Sequence, residues 1–355
     1  MEITRQLKAY YKIFSQHGAG EAKVELDPKE VALLVHIAYY DLNSGTVEDW
    51  FNKDIKELLK LSYYDLKYED IDKINPLSIE DACEYLKESG ALDPSNIIYL
   101  YLKNLSDLHR RRFKYRYILS KQPFPSAEQI GPRSLIEYGN CNEELLFNWL
   151  HWRKWIYDID NRSAQETGYL FEPILASCIG GESVSHRNSP VKRLTIDGDP
   201  TEKGRQIDCY IEEGTNKSAY ELKLRVTIAA SGQGRFGEEM SFPKEANAAG
   251  IKPVLIVFDS TPSELLRKLK KQYEDNNGEV YLGQGAWNLL IKKAGPEMGQ
   301  FIKKYLKPPL EAIATTEIKI PQNISLRATE EEIKIINDQG DEYFIKRSKK
   351  PEVVE

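Results

Sequence analysis

Asp208, Glu221 and Lys223 combine two hard oxygen donors with one ammonium on what reads as a pair of adjoining strands. Magnesium prefers such oxygens in octahedral geometry and is usually held by one or two carboxylates, with water and phosphate completing its shell. Asp208 and Glu221 can supply the carboxylates, and the carbonyl of Leu222 is a further candidate ligand. Lys223 would then stand where an ammonium can orient or deprotonate an attacking water and neutralise charge on a phosphorane. A second reading makes the same three residues a structural salt-bridge cluster on an exposed sheet face.

The acid-x-Lys triplet decides little alone, because six others begin at Glu21, Asp27, Asp54, Asp65, Glu317 and Glu332. Setting separates this one. From Gln206 to Ile211 apolar residues alternate with polar ones, and the stretch Glu213-Gly214-Thr215-Asn216-Lys217 reads as a turn. Ser218 to Val226 then returns as a second strand, with Glu221 and Lys223 on one face and Tyr220, Leu222 and Leu224 on the other.

The first 140 or so residues read as helices. Asp27-Pro28-Lys29-Glu30 opens one, Ser78 with Asp81 opens another that Gly90 stops, and a longer one starts near Asp93-Pro94 and runs through Arg110, Arg111 and Arg112. Pro123, Pro125, Gly131 and Pro132 are expected to end that block as a linker or arm. Leu145, Trp149, Trp152 and Ile156 recur at helical spacing, and Ser163-Ala164-Gln165-Glu166 is expected to cap a separate helix ending at Gly180-Gly181. Beyond the hairpin come a Gly-rich loop, a helix near Glu238 to Ala249, the apolar strand Val254 to Phe258, and helices over Ser263 to Tyr273 and Ala286 to Tyr305. After Pro308 a short charged tail with one hairpin is expected. This order predicts a mixed α/β (α+β) fold: a mixed central sheet flanked by helices. It divides the chain into an all-α amino-terminal domain over 1–140, a catalytic domain over 141–308 and an extension over 309–355.

The run Gly204-Arg205-Gln206-Ile207-Asp208 followed by Tyr220-Glu221-Leu222-Lys223, and preceded by a helix with Gly168-Tyr169-Leu170-Phe171-Glu172, resembles the PD-(D/E)xK nuclease superfamily, particularly type II restriction endonucleases. The resemblance covers about residues 160 to 260. It implies a helix, a three-stranded antiparallel meander, a further helix and another strand. It also implies that Asp208 is the paired acid, Glu221 and Lys223 the acid-x-Lys, and Glu172 the auxiliary acid, with Glu166 the alternative. Ile207 stands where that pattern has proline. Mg2+, double-stranded DNA as substrate, a homodimer, a cognate DNA methyltransferase in the same system and a bacterial or archaeal cytoplasm are the accompanying expectations. A repair or junction-resolving nuclease and a non-catalytic DNA-binding protein are the alternatives.

Candidate DNA contacts follow from donor chemistry. Arginine matches guanine O6 and N7 and glutamine matches adenine, which makes Arg225, Gln233 and Arg235 in the Gly-rich loop candidates for base edges. Arg187, next to His186, is a candidate for backbone or base. A net charge of −6 hides one basic stretch: from Lys103 to Arg133 eight Lys or Arg meet two acids, so Arg110, Arg111 and Arg112 could track a phosphate backbone. The other reading is a solvated helix face. His36 and His151 read as satisfied helix residues, and the tryptophans at 149, 152 and 155 as packing anchors. Four scattered cysteines indicate neither a zinc knuckle nor disulfides. No apolar run is long enough to span a bilayer, and the start lacks a secretion signal's layout.

Overall fold

A computed structural model of the chain describes residues 26–347 apart from 48, 50, 76–80, 82–92, 94, 225–234, 260 and 316–322. Two compact units emerge. One is made by Asp27–Leu105 and Phe171–Thr316, the other by Ser106–Leu170 and Glu317–Glu355. The helices of the first half are α1 (Pro28–Leu42), α2 (Lys53–Leu58), α3 (Tyr68–Ile71), α4 (Ile97–Lys121), α5 (Ala127–Glu137) and α6 (Glu143–Cys178). Strands β1 (Glu182–Val184), β2 (Lys192–Leu194), β3 (Pro200–Gly204), β4 (Ile207–Glu213) and β5 (Asn216–Lys223) follow. Then come α7 (Arg235–Ala248), β6 (Lys252–Val257), α8 (Glu264–Asp275), β7 (Glu279–Leu282), α9 (Gln284–Phe301) and α10 (Lys307–Thr315), and finally β8 (Ser325–Ala328), β9 (Glu332–Ile336) and β10 (Glu342–Lys346).

In the first unit a five-stranded sheet runs in the order β1-β4-β5-β6-β7. Strands β1, β4 and β5 are an antiparallel meander, while β6 and β7 lie parallel to β5. The expected mixed sheet flanked by helices is therefore present. Residues Val254 to Val257 of β6 are all buried, as a strand covered on both faces must be. Crossovers between parallel neighbours are right-handed, and two taken in the same direction leave their helices on one face. Phe242 and Ala246 of α7 and Leu266, Leu269 and Tyr273 of α8 accordingly share one core with Ala219, Leu255 and Val257. Phe258, just past β6, meets Phe171 of α6 at 6.4 Å and Trp287 of α9 at 4.4 Å between ring centroids.

The amino-terminal part of this unit starts with the expected cap: Asp27 accepts from the backbone of Lys29 and Glu30, and Glu30 returns a carboxylate to the Asp27 N–H. His36 is buried and satisfied. Asn52 N–H donates to its Nε2 at 3.0 Å, so Nδ1 carries the proton and donates to Ala32 O at 2.6 Å. Burial holds its pKa below the ordinary value. Asp41 accepts from Tyr101 Oη at 2.7 Å, and from Tyr305 Oη and Lys304 Nζ. Among the described residues no helix is long and apolar enough to cross a membrane.

In the second unit Trp155 and Ile159 of α6 pack with Ile118 and Leu119 of α4 and with Ile333 and Ile345 of a three-stranded sheet, β10-β9-β8. Arg347 lies over Phe124 at 4.5 Å and over Trp155 at 5.7 Å. Several expectations are corrected here. Gly131 and Pro132 lie inside α5, whose start is fixed when Ser126 N–H donates to Gln129 Oε1 at 2.9 Å. Helix α6 runs unbroken through Ser163. Leu145, Trp149 and Ile156 are exposed, whereas Leu146, Leu150, Trp155 and Ile159 are buried, because a helix rich in apolar residues carries two overlapping stripes and only packing selects one. Past Pro308 the chain continues as α10 and then a sheet of three strands, where one hairpin was expected. The capping pair Ser78 and Asp81 and the stop at Gly90 involve positions outside the described residues.

Asp41 is a buried charge held by three donors, so taking away the arrangement leaves charge or hydroxyls stranded. Asp41→Ala is expected to lower unfolding free energy by about 3–5 kcal/mol, and Tyr305→Phe by about 1 kcal/mol. Urea titration followed by circular dichroism checks both, and equal losses would contradict Asp41 as the hub.

Candidate active site

Strands β4 and β5 meet in a two-residue turn, Gly214-Thr215, with Glu213 opposite Asn216 and Gly214 at φ 63°. Cys209 pairs with Tyr220, and that register brings Asp208 alongside Glu221. Tyr220 and Leu222 are buried, while Glu221 and Lys223 are turned to a cleft of about 420 Å3 that Asp208 also lines. The expected division of this strand into two faces is what the structure has. Asp208 is held from both neighbours: Leu222 N–H donates to its Oδ2 at 2.9 Å, and the Ser183 hydroxyl of β1 donates to its carbonyl at 2.8 Å.

Lys223 Nζ stands 3.2 Å from Glu221 Oε2 and 3.5 Å from Glu239 Oε1 of α7. Burial opposes its charge, but Glu221, Asp208 and Glu239 outweigh that and keep its pKa above the ordinary lysine value. The acids respond the other way. Burial first, then the charge of Asp208, pushes Glu221 up to about 8 and Glu172 up to about 7. Asp208 is likewise raised by burial, with Lys223 and the Leu222 N–H opposing and Glu239 adding to the rise. Tyr273 of α8, buried under the same acids, is raised by its burial and then by Glu221, Asp208 and Glu239.

The far wall is an ion network. Arg205, nearly buried, bonds Glu245 through Nε and gives Nη2 to the Glu238 carbonyl at 3.0 Å, and Arg193 meets Glu238 at 2.8 Å. Glu245 also accepts the Leu194 N–H at 3.3 Å, which ties β2 to α7. Gly204 precedes this arginine because a Cβ there would run into the carbonyl of His186 and the side chain of Ser189.

The donor set fits a hard divalent cation. Every candidate ligand is an oxygen, more carboxylates surround Lys223 than one ammonium can balance, and Glu239 Oε2 is buried with no hydrogen-bond partner. Among the described residues no three Asp, Glu, His or Cys side chains could enclose a metal by themselves. Magnesium asks for less, since one or two carboxylates with water and phosphate complete its shell.

Of the other expected site residues, Glu172 lies in the last turns of α6, close enough to share charge with Asp208 and Lys223. Glu166 is in the same helix, with its side chain outside the described residues. Arg187 is exposed beside His186, which lines the cleft. Arg225 and Gln233 fall outside the described residues, and Arg235 begins α7. Arg110, Arg111 and Arg112 belong to the second unit. Arg110 is buried and paired with Asp107, Lys114 is buried as well, and Arg112 lies 5.1 Å from the Phe113 ring centre. Arg110 and Lys114 are thus interior, while Arg111, Arg112 and Arg116 are half-buried and Lys121 and Arg133 exposed. Glu239, Arg205 and Glu245 escaped the sequence reading, although Glu238-Glu239 near the start of a helix after a glycine-rich loop was a visible signal.

Glu221 and Glu172 have ordinary values near 4.5 and higher values in the fold, so the folded chain retains protons the unfolded chain has released. Their contribution to stability is complete below about pH 4.5 and is lost as pH rises through about 7 and 8. In a chelator, thermal stability should fall from about pH 6.5 to 8.5, above the range where His36 matters, and Glu221→Gln should flatten that fall. Thermal melts across this range check it, and a level wild-type profile contradicts it.

The family profile of the ApaLI-like restriction endonucleases matches residues 58–307, more than half of the chain. Type II restriction enzyme ApaLI of Acetobacter pasteurianus is 48% identical over 251 residues, which are 70% of this chain and 65% of that protein. The chain thus spans just under two thirds of the length of that relative, and no solved structure matches it. With a mixed sheet carrying Asp208, Glu221 and Lys223 into one cleft, the chain belongs to the ApaLI-like restriction endonuclease family.

Proposed function

We propose that this chain is a type II restriction endonuclease that hydrolyses phosphodiester bonds in both strands of duplex DNA at a short fixed sequence, with Mg2+ as cofactor. The observation that carries this reading is the convergence of Asp208, Glu221 and Lys223 on one open cleft in which acid outnumbers base. Family membership supports the same reaction class.

In this reading Asp208 and Glu221, with the Leu222 carbonyl, hold the cation. When bound, Mg2+ supplies Lewis acidity at a phosphoryl oxygen and lowers the pKa of water beside it. Lys223 keeps its proton well above neutrality, so its role is to orient the attacking water and to balance charge building on the phosphorane rather than to act as a base at pH 7. Glu172 is the auxiliary acid on the α6 side. Arg187, Arg225, Gln233 and Arg235 are proposed to meet bases or phosphates, and Arg111 and Arg112 of the second unit to meet phosphates, whereas Arg110, buried against Asp107, is withdrawn as a contact. A two-fold DNA site cut on both strands calls for a homodimer, and a cognate DNA methyltransferase in the same system would protect host sites.

Unmodified phage DNA digested with Mg2+ and sequenced at its ends tests this. Discrete fragments with one recurrent end sequence are expected, and cutting restricted to branched or damaged DNA would overturn it. Asp208→Ala is expected to lower the cleavage rate at least about a thousandfold, the several kcal/mol that a correctly held cation contributes, while binding to DNA in Ca2+ persists. Rapid-quench cleavage assays and fluorescence anisotropy measure the two separately.

A further inference from the structure

The ammonium of Lys223 has two carboxylate neighbours of different origin. Glu221 lies two residues back on the same strand, at 3.2 Å, and Glu239 reaches from the second turn of α7, at 3.5 Å. Its sequence neighbour Glu238 faces the rim instead, meeting Arg193 at 2.8 Å and Arg205 at 3.8 Å. Only Glu239 of this pair is turned inward, and its second oxygen is buried beside the cleft with no donor of its own.

That division matters for the reaction proposed above, on which this inference rests. A carboxylate engaged by a divalent cation is a weaker partner for an adjacent ammonium, so Glu221 cannot serve both equally. Lysine carries three donors on a flexible stem with four carbons, and a single partner that turns away leaves its direction undefined. We infer that Glu239 is a positioning residue: it holds Lys223 from α7, across the cleft, so that Glu221 is released to the cation while the ammonium stays aimed at the attacking water. Oε1 already faces Nζ, and Oε2 gives the same carboxylate room to accept a hydrogen bond from the ammonium or from a water in the cleft. Helix α7 is well placed as an anchor, because Phe242 and Ala246 lock it into the core and Glu245 locks it to Arg205.

The test uses the full chain and Glu239→Gln, which keeps the shape and removes the charge. Without Glu239, Lys223 falls back on Glu221 and competes with the cation. The Ca2+ concentration giving half of the maximal thermal stabilisation should therefore rise about tenfold, and single-turnover cleavage in Mg2+ should slow by about 10–100-fold. The Kd for DNA should stay within about threefold, since no DNA contact is removed. A variant whose Ca2+ midpoint and cleavage rate both remain within about twofold of wild type overturns the inference. Should Glu239→Gln not fold, Glu239→Asp is measured in the same way, with smaller shifts of the same sign expected and unchanged values again overturning it. Wild type and Asp208→Asn run in parallel separate the two levels: a wild type that leaves DNA uncut in Mg2+ sinks the nuclease reading and an Asp208→Asn that still cuts removes Asp208 as the cation's ligand, whereas an active wild type and an inactive Asp208→Asn beside a normal Glu239→Gln remove only the role of Glu239.

Discussion

Asp208, Glu221, Glu172 and Glu239 are gathered around a single ammonium, Lys223, in surroundings that penalise every uncompensated charge. One lysine cannot neutralise four acids. The fold therefore keeps protons on carboxylates that would be ionised in water, and it leaves one buried oxygen of Glu239 without a donor. Such an arrangement lowers the stability of the folded chain, and added positive charge would relieve it. Sites that bind cations and handle phosphate are where this kind of strain is expected.

The contrast with Asp41 makes the point. That carboxylate is also buried, yet two tyrosine hydroxyls and Lys304 supply donors to it, so its charge is balanced inside the fold. Both clusters consist of acids among aromatic residues and lysines. What differs is whether the chain supplies enough donors: at Asp41 it does, and around Lys223 acid is left in excess.

The scaffold explains how the excess acid is held in place. An antiparallel hairpin sets Asp208 beside Glu221, and the parallel partner β6, buried on both faces, stiffens the strand that carries Glu221 and Lys223. The crossover from β5 to β6 runs through α7, which brings Glu239 over the cleft, and the Arg205–Glu245 pair with the Leu194 N–H ties α7 back to the strands preceding β4. Each acid thus comes from a different element: β4, β5, α6 and α7. Rigid elements converging from several directions position charged groups better than a single loop can.

Much of this was legible in one dimension. Alternation of apolar and polar residues, a glycine-bearing turn and an acid-x-Lys on the returning strand determined the hairpin, its faces and the trio Asp208, Glu221 and Lys223, because a period of two leaves a strand only two ways to point its side chains. The cap at Asp27 and the apolar strand at Val254 were equally local. Tertiary structure alone decided the rest. Glu239 looked like an ordinary helix acid until α7 was folded over β5, and the exposed stripe of Leu145, Trp149 and Ile156 could not be told from the buried one beside it. Pro132 carried a helix-ending signal and Ser163 a helix-starting one, yet both lie inside continuous helices. That Asp27–Leu105 shares a unit with Phe171–Thr316 was likewise invisible, for the physical reason that contacts between distant segments depend on which complementary surfaces meet, and no local pattern encodes that meeting.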